Sequence, residues 1–241
     1  MTLIATQPVT SIRGGTPVTT VDLVDASVRQ LNQMLHDAGD GDAFVVESPV
    51  GSHNIAVGIT ADIDVTVEGD VGYYFAGMHQ AGTATVHGSA GVGLAENIMS
   101  GVVHVTGDAS QSTGATGHGG LVIVDGNTGA RCGISMKGVD IVVGGSIGHA
   151  SAFMAQAGRL VVCGDAGEAL GDSIYEARIY VRGEVASLGA DCVEKEMRPE
   201  HLAELAELLE RAGRAERPEQ FRRYGSARNL YHFKVDNAGS Y

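Results

Sequence analysis

Written in rows of 19 from Asp64, residues 64–196 stack without a gap, the rows opening at Asp64, Thr83, Val102, Leu121, Asp140, Arg159 and Arg178. Position six is glycine in every row (Gly69, Gly88, Gly107, Gly126, Gly145, Gly164, Gly183), and position four is valine in every row (Val67, Val86, Val105, Val124, Val143, Val162, Val181). Position two is apolar throughout, from Val65 and Ala84 to Leu160 and Ile179, so positions two and four share the two-residue period of a strand with one face turned inward. A unit this short cannot bury that face alone. Stacking identical units about 4.8 Å apart turns each inward position into a continuous ladder. The expected fold is therefore all-β: a right-handed parallel β-helix of about seven 19-residue turns, a prism roughly 30 Å long.

The rest of each row supplies the other walls. Position seven is always polar (Asp70, Ser89, Asp108, Asn127, Ser146, Asp165, Glu184). That pattern suits a side chain bonding its own turn after a glycine with a permissive backbone angle. Position thirteen is always Ala or Gly, and small residues at a corner let a chain with 35 Gly, no Trp and only 5 Phe fill a dry interior.

Two amphipathic helices flank the repeat. One is expected from an N-cap at Asp25 through Val28, Leu31, Leu35 and Ala38 to Gly39. The other begins near Pro199 and aligns Leu202, Leu205, Leu208 and Leu209 before Gly213. An uncovered last turn is an edge strand open to aggregation, so at least one helix is assigned to capping. The chain divides into an N-terminal extension with its helix (1–43), the β-helix (44–196) and a C-terminal helix with a docking tail (197–241). Within the second part, Phe44 to Ile63 reads as a degenerate first turn.

With 16 Lys and Arg against 29 Asp and Glu, the formal charge of −13 would repel nucleic acid and anionic membrane. The opening Met1-Thr2-Leu3-Ile4-Ala5 lacks the pattern of a secretory signal and no long apolar run follows, so a cytoplasmic protein is expected. Cys132, Cys163 and Cys192 fall on different walls and form no C-x-x-C pair, which argues for reduced thiols rather than a disulfide, zinc or iron–sulfur site. His87 and His104 share an outer wall with Cα atoms expected about 8 Å apart. They read as solvated side chains rather than metal ligands. Asp70, Asp108 and Asp165 occupy non-adjacent rows, unlike the ladders of calcium-binding repeats. Gly91-Val92-Gly93 and Gly117-His118-Gly119 lack the strand-then-helix setting of phosphate loops. No catalytic, cofactor or metal residue is assigned.

Two surfaces stand out. Position three is polar in the first rows but apolar at Ile123, Val142 and Val161, an outward stripe that must be covered by a terminal helix or by a docking partner. The densest polar patch, Glu168, Asp172, Tyr175, Glu176 and Arg178, is the place to look for an amine route or an interface.

The V-x-G-[DSN] turns with Gly-x-Gly corners resemble the GXGXG domain, the β-helix that ends the glutamate synthase large subunit. Three segments narrow the likeness: GISMKGVDIVVGGSIG (133–148), GDSIYEARIYVRG (171–183) and RRYGSARNLYHF (222–233). They resemble the stand-alone glutamate synthase-like chains of the GlxC type and the β-helical chain of N-methylglutamate synthase. The resemblance implies a hetero-oligomer in which an amidotransferase-like subunit and an FMN-binding subunit, with iron–sulfur as a further cofactor there, are joined by this piece. It implies no active site in this chain, and N-methylglutamate made from methylamine and glutamate by a methylamine–glutamate N-methyltransferase. The other readings are an ammonia-transferring glutamate synthase, the β-helical chain of a formyltransferase/hydrolase complex, and a free-standing ligand-binding β-helix.

Overall fold

A computed structural model describes residues 9–13 and 16–229. Strands β4 (Asp64–Glu68), β5 (Thr83–His87), β6 (Val102–Val105), β7 (Leu121–Val124), β8 (Lys137–Val143), β9 (Ala157–Val162) and β10 (Arg178–Val181) open the seven expected rows. They run parallel in the register of the repeat, Val65 beside Ala84, Val103 beside Val122 and Leu160 beside Ile179. All position-two and position-four side chains are buried in one continuous core. A slip of one residue would turn that whole set outward, so burial fixes the register. The chain is a parallel β-helix.

The stack extends beyond the rows at its N-terminal end. Strand β3 (Ala43–Glu47) pairs with β4, Ala43 beside Asp64, so Phe44–Ile63 forms the irregular first turn that the sequence suggests. Strand β2 (Thr16–Asp22) adds another parallel neighbour, and β1 (Val9–Arg13) folds back on it antiparallel. Helix α1 (Val28–His36) is capped by Ser27 rather than the expected Asp25: Ser27 and Gln30 form a reciprocal capping box. Leu31 and Leu35 plug the core. In later turns Ala76 N–H donates to Ile55 of the preceding turn. The equivalent Ala56 has no preceding turn, and its N–H donates to the Asn32 side chain of α1 at 2.9 Å. The helix thus replaces a missing coil, which is how this end escapes unsatisfied backbone.

The invariant glycines have a reason other than backbone angle. Among the position-six glycines only Gly69 has a positive φ, at 125°. At the others a Cβ would strike the preceding turn: at Gly164 it would lie 2.6 Å from both C and O of Gly145. Position seven also differs from the expectation of a residue bonding its own turn. The Asp70 carboxylate accepts from Ser89 N–H at 2.7 Å, Asn127 Oδ1 from Ser146 N–H at 2.9 Å, and Asp165 from Glu184 N–H at 2.8 Å. From Asp70 to Asp165, each polar side chain clips the next turn to its own.

The third wall is built from alternate left-handed residues. Positions eleven, thirteen and fifteen have positive φ in six successive turns, as in Ser112 (62°), Gly114 (65°) and Thr116 (55°). The intervening geometry sends N–H groups both ways along the axis: Ser112 donates to Ala130 of the following turn, Gly114 to Leu94 of the preceding one. Left-handed backbone costs a non-glycine residue roughly 1–2 kcal/mol. The two-way ladder offsets it, because every turn shares the strain and the bonds. Position thirteen faces inward in this conformation, which restricts it to Ala or Gly.

One buried side chain is out of character with its wall. His79 is fully buried at the interior corner where the next turn places Ile98; its Nε2 lies 3.2 Å from Gly82 O, and its Nδ1 has no hydrogen-bond partner among the described residues. Burial holds its pKa below the ordinary imidazole value. The folded state therefore resists a proton that the unfolded chain accepts once pH falls below about 6.5, so stability declines as pH drops through that value. Urea unfolding at pH 7.5 and 5.5 should show a loss in the wild type that His79→Leu reduces, by at most about 1.4 kcal/mol per pH unit. An identical loss in the variant would sink the assignment.

At the C-terminal end the repeat does not add another parallel strand. Strand β12 (Arg222–Ser226) pairs antiparallel with β10, Tyr180 beside Arg223, and β11 (Cys192–Lys195) pairs antiparallel with its far side. Helix α2 (Pro199–Arg211) lies on the outer wall, where Leu205, Leu208 and Leu209 pack with Ile123, Val142, Val161, Tyr180 and Phe221. This corrects the reading of Ile123, Val142 and Val161 as a partner-docking stripe. Val142 and Val161 are 0% exposed and Ile123 6%, under the chain's own helix.

Candidate functional site

The strand that leaves the sequential order of the sheet creates a cleft. Because β12 inserts between β10 and β11, it brings Arg178 at the start of β10, Arg223 of β12 and Lys195 at the end of β11 to one edge. Arg198, at the N-cap of α2, and Arg228, just beyond β12, complete a cleft of about 320 Å³ floored by Ala177 and Gly225. Five cations face one lining carboxylate, Glu176.

Some of that charge is compensated. Arg228 Nη2 is 2.9 Å from Glu176 Oε2, an exposed pair of little strength. Arg178 Nε lies 3.0 Å from Glu204 Oε1, an ion pair without hydrogen-bond alignment, and Glu204 also accepts from the Tyr180 hydroxyl. Arg198 contacts Glu196 at 3.4 Å and Glu200 at 3.9 Å. Arg223 donates from Nε and Nη2 to the neutral backbone carbonyl of Glu196, at 3.0 and 2.8 Å. Lys195 has no ion-pair partner among the described residues and sits directly across the strands from Arg223. Burial, and next the Arg223 guanidinium, hold the pKa of His201 below its ordinary value, so its imidazole adds no charge at neutral pH.

Of the five residues singled out from the sequence, the fold brings Tyr175, Glu176 and Arg178 together here. It leaves Glu168 exposed elsewhere and gives Asp172 a structural task, accepting from Ser173 Oγ at 2.7 Å and Ala190 N–H at 3.3 Å. Sequence reasoning missed Lys195, Arg198, His201, Arg223 and Arg228. The available signal was the arginine-rich stretch from 222 to 228 in a strongly acidic chain.

The remaining candidates are bonded or buried. His87 Nδ1 meets Glu68 at 3.0 Å and His104 Nε2 meets Asp125 at 2.9 Å. Among the described residues no group of three or more His, Cys, Asp or Glu could hold a metal ion. The three cysteines are buried and free, and burial pushes their thiols up to about 12, 11 and 12 for Cys132, Cys163 and Cys192. They are protonated at neutral pH and poor nucleophiles. No described helix is long and apolar enough to cross a membrane.

No family model matches this sequence, and no solved structure matches it. A curated relative does: Protein GlxC of Rhizobium meliloti (strain 1021) is 61% identical over 225 residues, covering 92% of this chain and 99% of the relative. Identity at that level, over nearly the whole of both chains, shows the family: the chain belongs to the GlxC family.

Proposed function

We propose that this chain is a non-catalytic docking subunit of a glutamate synthase-like complex, working between an amidotransferase-like subunit and an FMN-binding subunit. The observation that carries the reading is the match to Protein GlxC over 99% of that relative's length, which makes a β-helix with its two helices the shared unit. The glutamate synthase connection rests on the GXGXG-like turns and on the segments 133–148, 171–183 and 222–233; residues 230–233 of the last lie outside the described structure. The finer reading is N-methylglutamate synthase, with methylamine and glutamate as substrates.

The cleft refines the role of the polar patch. A protonated amine would meet Arg178, Arg223 and Lys195 at close quarters and be repelled, so any amine route through this subunit runs elsewhere or carries neutral ammonia. The rigid outer walls of the β-helix are then its useful surface, as in other stacked-repeat proteins.

Affinity purification of the tagged full chain from its native host tests the proposal, with mass spectrometry and a flavin spectrum of the eluate. Co-elution of flavin-bearing synthase-like and amidotransferase-like chains is expected, and assays with methylamine and with glutamine as nitrogen donors then name the reaction. A colourless chain that elutes alone refutes the subunit reading.

A further inference from the structure

The cleft beside β12 has a chemistry that docking does not require. Five of the chain's 16 Lys and Arg residues converge on it in a protein of formal charge −13, so it is not a sample of the general surface. Two of the five, Lys195 and Arg223, are direct cross-strand partners. Like charges so placed destabilise a sheet. Arg223 cannot swing away, because two hydrogen bonds tie its guanidinium to a carbonyl that supplies no countercharge. Such a pair gains stability when an anion bridges it.

We propose that this cleft is a binding site for a small, doubly charged oxyanion: an organic dicarboxylate or a phosphate-bearing metabolite. Lys195 and Arg223 hold one charged group by charge-assisted hydrogen bonds. Arg228 is available to the second, because its pair with Glu176 is exposed on both sides and exchanges readily with an incoming carboxylate or phosphate. Glu176 is in this sense the built-in competitor. The volume of about 320 Å³ is at the small end of ligand pockets. A docked acidic peptide would want apolar anchor pockets, and the lining offers only Tyr175 and Ala177. The inference concerns this chain alone and does not rest on the subunit reading.

Calorimetric titration of the full chain at low ionic strength, with glutarate and with inorganic phosphate as probes, tests it; chloride at matched ionic strength is the control. One-to-one binding is expected, weakened about tenfold in Lys195→Gln and in Arg223→Gln. Glu176→Gln should bind more tightly, a result that a merely structural role would not give. In chloride, Lys195→Gln should melt no lower than wild type, because it relieves repulsion. Since Arg223 also ties β12 to Glu196, Lys195→Gln carries the test if Arg223→Gln fails to fold. Stronger binding of glutarate assigns a dicarboxylate, and of phosphate a phosphorylated ligand. Heat no greater than in chloride, or equal affinity in the variants, overturns the proposal. So does capture of a polyglutamate peptide when neither small anion binds, which would make the cleft a contact for a partner's acidic segment.

Discussion

Gly164→Ala lowers the free energy of unfolding by about 3 kcal/mol, as measured by urea denaturation followed by circular dichroism. The added methyl carbon would sit 2.6 Å from backbone C and O of Gly145 and from Ser146 Oγ. None of the backbone atoms belongs to a flexible side chain, so relief requires the two turns to separate. Separation stretches the bonds from Gly164 N–H to Gly145 O at 2.8 Å and from Asp165 N–H to Ser146 Oγ at 2.9 Å. Gly213→Ala provides the contrast. There φ is 65° and nothing lies within 4 Å of the added carbon, so only the left-handed backbone is penalised, at roughly 1 kcal/mol. Equal costs at the two positions would show that conformation, not space, selects glycine in the repeat.

That contrast also shows where sequence reading stopped. The 19-residue register is legible because Gly164 and its equivalents are invariant and the alternation at positions two and four is unbroken. The reason for the glycines is not legible: an invariant glycine looks the same whether it needs an unusual angle or lacks room for a side chain. Position seven suffers the same ambiguity, since an Asp that clips its own turn and one that clips the next are both simply polar. The left-handed wall was hidden for a different reason. Its positive-φ positions carry Tyr74, Met78, Thr116 and Arg131 as well as glycine, because a ladder shared between turns overrides local preference. The cleft drew three members from a segment that stood out, Tyr175, Glu176 and Arg178. Its other cations come from β11, the N-cap of α2, the start of β12 and the residues just beyond β12, and only the antiparallel insertion of β12 brings them to that edge.

Helix α2 was visible as an amphipathic stretch whose destination was open, and Val142→Lys tests the destination that the fold assigns. Val142 is fully buried in a cluster made by one sheet wall and the apolar face of α2, with Val161, Leu205 and Leu208 among its members. This cluster shares no residue with the prism's interior core. An ammonium at position 142 would be desolvated, at a cost of about 4 kcal/mol if the cluster stays closed. Peeling α2 from the wall is the cheaper response, and the separate interior core lets the β-helix remain stacked meanwhile. The expected result is therefore a large fall in the urea midpoint of the helical signal, with exposed Ile123 and Val161 binding a hydrophobic dye and promoting self-association. Glu207→Lys, a charge change on the exposed face of the same helix, should leave all three readouts near wild type. If Val142→Lys instead folds with wild-type stability and only fails to recover partner chains from the host, the wall is a docking surface and α2 does not guard it.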